Sequence, residues 1–108
     1  KTEIEKNKIF NDAKLLVSAG VFSIVLECTE KSLSKKITSS VKIPTIGIGA
    51  SIDCDGQVLV TDDLLGLNFT NYRFVKKYAN LAKIIDRAAR NFKQDVIKKL
   101  FPKKKNSY

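Results

Sequence analysis

Glu27 is the residue whose type and position most invite chemistry. It follows Phe22-Ser23-Ile24-Val25-Leu26, a β-branched and aromatic run, and stands where that strand gives way to a loop. In parallel α/β folds the functional groups gather at the carboxyl ends of strands. A carboxylate beside an apolar wall has its charged form disfavoured, which suits it to accept a proton. A Glu in this position can equally pair with a neighbouring lysine or accept backbone N–H groups, and position alone leaves both open.

Other patterns promise less. Gly47-Ile48-Gly49 begins like a dinucleotide-binding turn, but the third glycine of that fingerprint would fall at Ile52, and no helix clearly opens there. These glycines are read as letting the backbone pass close to a ligand or a neighbouring strand. Asp53-Cys54-Asp55-Gly56 lacks the ligand spacing of a Ca²⁺ loop, so a turn is the better reading. Asp62 and Asp63 are adjacent; in an extended segment they point to opposite faces and cannot share a proton, although one can cap a following helix. Cys28 and Cys54 are too few for a disulfide framework and lack metal-ligand spacing. The chain has no His, which removes Ser-His and Cys-His nucleophile pairs and His-containing zinc sites. Acid–base chemistry must then rest on Asp, Glu, Lys, Tyr or Cys.

The elements that would position Glu27 follow from periodicity. Ile4, Ile9, Ala13, Leu16 and Val17 predict an amphipathic helix over Glu3–Ser18, closed by Gly20. The unalternating run 22–26 predicts a strand buried on both faces, as in a parallel sheet. Thr29 is the expected cap of a helix running to about Ser40, with Leu33, Ile37 and Val41 at four-residue steps. Pro44 permits only an edge or a strand start, and Thr45–Ala50 is the next strand. A loop over 51–56 precedes Gln57–Val60, a third short strand or the first turn of a helix. Helices are expected over Arg73 to about Leu81 and Ile84 to about Leu100, with Phe101-Pro102 ending the second. Successive βα units with right-handed crossovers follow. They form either a small open sheet or a slice of a barrel, since a closed barrel takes eight units and roughly 250 residues.

The chain has 108 residues, 44% of them hydrophobic, enough for a core and suited to one small domain or a piece of a larger one. Met is absent, so the chain is expected to have been cut from something longer or processed. There is no apolar run of membrane-spanning length and no signal-peptide core. Cysteine usage points to a reducing cytosol. The net charge of +9 is unevenly placed: residues 71–108 hold 12 Lys and Arg against two Asp, a net of +10. That can mean a nucleic acid or anionic-membrane partner, or the solvated face of terminal helices. The aromatics Tyr72, Phe74, Tyr78 and Phe92 suit burial on helices better than a stacking platform. Residues 103–108 read as a basic, flexible tail.

Three stretches together resemble the ketopantoate hydroxymethyltransferase (3-methyl-2-oxobutanoate hydroxymethyltransferase) family. They are Val25-Leu26-Glu27-Cys28, then Lys36-Ile37-Thr38 running through Ile43-Pro44-Thr45-Ile46-Gly47-Ile48-Gly49-Ala50, and Asp55-Gly56-Gln57-Val58-Leu59-Val60 with Asp63-Leu64-Leu65-Gly66. Phe74–Asn80, Phe101-Pro102 and Ser107-Tyr108 are similar to that family's C-terminal end. The resemblance implies an α/β fold, the C-terminal portion of a TIM (β/α)8 barrel, with 1–102 as its βα units. It implies a homo-oligomeric cytoplasmic enzyme of pantothenate and coenzyme A biosynthesis, with no membrane partner and no nucleic acid. Three departures stand out: Ser51 where the family usually has Gly, Asp62-Asp63 where it often has His-Asp, and Lys105-Asn106 in place of an acidic-His ending.

The resemblance further implies that Glu27 is the catalytic base. It would take a proton from 3-methyl-2-oxobutanoate chelated to Mg²⁺, and the enolate would attack the methylene carbon of 5,10-methylenetetrahydrofolate. The metal ligands are expected in an N-terminal half outside this chain, which leaves none to assign here and predicts an inactive isolated piece. The alternatives are a catalytically inactive fragment, one that works only with its other half in trans, and a basic nucleic-acid-binding module.

Overall fold

The computed structural model describes residues 2–69 and 71–108. The chain folds as two compact units, one of Lys1–Leu59 with Tyr72–Val75, the other of Val60–Asn71 with Lys76–Tyr108.

The first unit is an α/β layer. Helix α1 (Glu3–Ser18) leads into strand β1 (Ile24–Glu27), helix α2 (Lys31–Ser40), strand β2 (Thr45–Ile48) and the short strand β3 (Gly56–Gln57). Thr2 and Glu5 form a capping box at the start of α1, each side chain bonding the other's backbone N–H, so the helix begins where its first free donors are satisfied. All three strands are parallel, in the order β1-β2-β3. The register sets Ile24 beside Thr45 and Glu27 beside Ile48. Pro44 immediately precedes β2, and its carbonyl accepts the Ile24 N–H at 3.0 Å.

Alternation along β1 sorts its side chains onto two faces. Ile24 and Leu26 are buried and join Ala13 of α1 with Leu33 and Ile37 of α2 in one core, which Ile9, Phe10, Val17, Val41 and Ile43 border. The opposite face is different: Val25 is 60% exposed and Glu27 is exposed as well, and Phe22, ahead of the strand, is 88% exposed. The expectation of a strand buried on both faces therefore fails for these residues. Within this unit both helices contribute to the core on one side only, so among the described residues the other side is left largely exposed at Val25 and Glu27.

Thr29 does not cap α2. Its hydroxyl turns back to the Glu27 carbonyl at 3.3 Å, and the N-cap residue is Glu30, with no side-chain cap bond. The connection from β2 to β3 crosses between parallel strands without a helix. Asp55 makes this possible by accepting the Thr45 N–H at 2.8 Å and the Thr45 hydroxyl at 3.0 Å, which ties the loop to the start of β2.

The second unit holds helices α3 (Thr61–Leu65) and α4 (Leu81–Ile97) and a 3₁₀ turn at Lys104–Asn106. Gln57–Val60 thus divides: Gly56–Gln57 is strand, and helix begins only at Thr61. The helix expected over Arg73–Leu81 does not form; residues 73–74 make a turn and the rest is irregular. Its donors go elsewhere. The Tyr78 and Ala79 N–H groups both reach the Leu64 carbonyl, at 2.9 and 3.3 Å, and the Lys77 ammonium donates to the Asn68 carbonyl at 2.8 Å. Asn80 then caps α4 through the Lys83 N–H at 3.3 Å, so that helix starts three residues earlier than its apolar pattern suggests. It ends at Ile97 because Lys99 turns left-handed (φ 56°), and Leu100 and Lys99 donate back to Asp95 and Val96.

Candidate active site

Glu27 closes β1 at its carboxyl end, on the face that α1 and α2 leave bare. The strand holds it in place to the last residue. Beyond it, Cys28 donates its N–H to the Ile48 carbonyl at 2.9 Å and takes a left-handed φ of 47°, which turns the chain away at once. In register, Val25 and Glu27 share their face with Ile46 and Ile48 of β2, so the carboxylate is bordered by branched apolar side chains. Among the described residues no lysine, arginine or N–H group engages the Glu27 carboxylate.

The tips of β1 and β2 border an open cavity of about 840 Å³ whose walls include Cys28, Lys31, Gly49, Ser51, Arg73 and Phe74. Glu27 itself is not one of its lining residues; the next residue, Cys28, is. Gly49 has a φ of +60°, and a Cβ there would stand 2.8 Å from Phe74 atoms. Glycine is required twice over, for the turn and for the ring lying on it. Gly47 makes similar room, for the Gln57 amide. That amide donates to the Ser51 carbonyl at 2.7 Å, and the Ser51 hydroxyl donates to Asp53 at 2.8 Å and accepts the Asp53 N–H at 3.1 Å. Phe74 stacks with Tyr72 at 5.8 Å, the planes 11° apart.

The cavity's charge is lopsided. Among the described residues neither Lys31 nor Arg73 meets a carboxylate. The one acidic lining residue, Glu30, is occupied: the Ser32 hydroxyl at 2.6 Å and the Lys6 ammonium at 2.9 Å hold its carboxyl below the usual carboxylate range.

A sequence model of one family, ketopantoate hydroxymethyltransferase, matches residues 1–104. This chain belongs to the ketopantoate hydroxymethyltransferase family. It is 64% identical over 104 residues to the 3-methyl-2-oxobutanoate hydroxymethyltransferase of Pelagibacter ubique, a match covering 96% of this chain and 40% of that protein. The enzymes of the same name from Carboxydothermus hydrogenoformans and Moorella thermoacetica are each 49% identical, over 94% and 100% of this chain and 37% and 40% of theirs. The chain thus spans about 40% of the length of the curated relatives it matches.

Stretches on which the resemblance was read contribute to this site. Val25–Cys28 is the end of β1, and Thr45–Ala50 is β2 with the cavity's glycine wall. Ser51 is buried, and its hydroxyl works within the loop through Asp53. Asp62 and Asp63 lie in the first turn of α3; Asp63 is buried and accepts the Asn68 amide at 2.8 Å, a structural task. Among the described residues no three Asp, Glu or Cys side chains converge to hold a metal, and no helix is long and apolar enough to cross a membrane. Lys31 and Arg73 were not singled out as site residues, and Phe74 was read only as an aromatic suited to burial on a helix. Only the fold brings residues 31, 49 and 73 to one cavity.

Proposed function

We propose that the protein transfers a hydroxymethyl group from 5,10-methylenetetrahydrofolate to 3-methyl-2-oxobutanoate, giving ketopantoate, and that this chain supplies the general base, Glu27. The observation that carries the reading is a carboxylate at the carboxyl end of a parallel strand, facing away from the helix layer and without a partner among the described residues. Barrel enzymes keep their working groups at that end of the strands. An apolar sheet face without cover is what the last strands of a (β/α)8 barrel would present without the others. The relatives' names support the reaction, and a homo-oligomeric cytoplasmic assembly belongs to the same proposal.

On this reading Glu27 accepts the C3 proton of the keto acid, and the electron pair left behind becomes the enolate. The enolate carbon then bonds the methylene carbon; the two C–N bonds that held that carbon to the folate break, water supplies the hydroxyl oxygen, and tetrahydrofolate leaves with its nitrogens protonated. Val25, Ile46 and Ile48 offer an apolar surface that suits the substrate's two methyl groups. A carboxylate is a weak base for a C–H bond, so the enolate charge must be stabilised by groups beyond Glu27. Bound Mg²⁺ would supply that stabilisation as a Lewis acid. The described residues do not fit a metal site, so its ligands are proposed to lie outside these 108 residues. The chain alone is accordingly expected to be inactive.

Glu27→Gln in the protein as its gene encodes it tests this. General-base removal costs about 10²- to 10⁴-fold in turnover. Exchange of the keto acid's C3 proton with D₂O, followed by NMR, should fall with it. Turnover close to the wild type would overturn the assignment.

A further inference from the structure

The cavity at the strand tips is far larger than a small branched keto acid would fill, and its volume suits a ligand of drug-like size. Among the described residues its two cations, Lys31 and Arg73, meet no carboxylate, while the charge of Glu30 is already engaged by Ser32 and Lys6. The start of α2 opens on the same space through Thr29, Glu30 and Lys31 and carries no side-chain cap. Phe74 adds an aromatic wall, fixed against Gly49 and stacked on Tyr72. A cavity with an aromatic wall and two unpaired cations selects a ligand that joins a flat ring to carboxylates.

We propose that this cavity is a carboxylate site in which Lys31 and Arg73 hold the acidic glutamyl tail of the one-carbon donor, with Phe74 against its aromatic portion. The proposal rests on the reaction proposed above, where that donor is the larger of two anionic substrates. Arg73 offers a fork that matches a carboxylate bidentately, whereas Lys31 acts as a point charge. Both side chains are exposed, so each contributes modestly and the contribution is screened by salt.

The test is direct binding, by calorimetry, to the protein as its gene encodes it. Pteroyltriglutamate, pteroylmonoglutamate and 3-methyl-2-oxobutanoate are the probes. Arg73→Gln and Lys31→Gln should each weaken pteroyltriglutamate by about fivefold, the size of an exposed charge pair. The monoglutamate should lose less, Arg73→Lys should recover part of the loss, and the wild-type affinity should fall with added salt. Unchanged pteroyltriglutamate binding in both variants would overturn the site. So would a loss confined to 3-methyl-2-oxobutanoate, which would move the carboxylate partner to the keto acid. The two readings can fail separately. A protein that binds as described yet shows no C3 exchange keeps the site and loses the reaction. One that exchanges normally, with variants binding like the wild type, keeps the reaction and loses the site.

Discussion

Helices α2 and α4 carry the same kind of signal and meet different ends. In α2, Leu33 and Ile37 recur at a four-residue step and are 5% and 0% exposed, packed with Ile24 and Leu26 of the neighbouring strand. In α4 an apolar stripe runs through Leu81, Ile85, Ala88, Phe92 and Val96, yet no residue of that helix is buried; Ile85 and Phe92 are each 57% exposed. Amphipathicity states that a helix has a face to cover. Whether cover comes from the same unit is decided by topology. Here β1 and β2 supply it for α2, and among the described residues the unit that holds α4 has no sheet.

The largest expected effect lies where that cover is complete. Ile37→Ala empties a side chain with no exposure at the centre of the first unit, and such a deletion costs about 2–5 kcal/mol through lost transfer energy and the cavity left behind. The midpoint of urea denaturation of the 108-residue chain, followed by circular dichroism, measures it. A loss under about 1 kcal/mol would mean that α2 is held no better than α4, and the contrast would be broken.

A smaller effect sharpens the picture at the edge of the same unit. The Thr45 N–H, and then its hydroxyl, hold the Asp55 carboxyl below its ordinary value. A carboxylate depressed in this way stabilises the fold above its unfolded pKa, and the contribution is lost as pH falls through the folded value. Thermal midpoints of the wild type should therefore drop below about pH 4. Asp55→Asn should melt lower at pH 7, and the gap should close in acid. Equal melting of the two proteins at pH 7 would show that the loop does not depend on this tie.

The order α1, β1, α2, β2 was legible because each element's pattern and its surroundings agree. Glu3–Ser18 matches its helix to the residue, and the Glu27 position at a strand end followed from the apolar run before it. What the sequence hid depended on contacts distant along the chain. Residues 77–79 have helical propensity, but two of their N–H groups find the Leu64 carbonyl first. Thr29 is a good capping residue, and its hydroxyl instead answers the Glu27 carbonyl that the turn at Cys28 brings within reach. The cavity's cations stand 42 positions apart and have no shared motif. Gly49 gave a partial signal, since a glycine ending a strand announces close approach without naming Phe74 as what approaches.

The smallest expected effect is the other half of the contrast. Phe92 lies on the exposed stripe of α4, and its one aromatic neighbour is Phe101, edge-on at 5.6 Å. An edge-to-face pair contributes about 0.5–1.5 kcal/mol beyond area burial, and here more than half of the ring stays in water. Phe92→Ala in the 108-residue chain should therefore shift the urea midpoint by less than about 1 kcal/mol, well below the loss at Ile37. It should also leave helix content nearly unchanged, because alanine is the better helix former. A loss comparable to that at Ile37 would mean that the α4 stripe is covered in solution. The difference between the two helices would then be one of which surface covers them, not of whether they are covered.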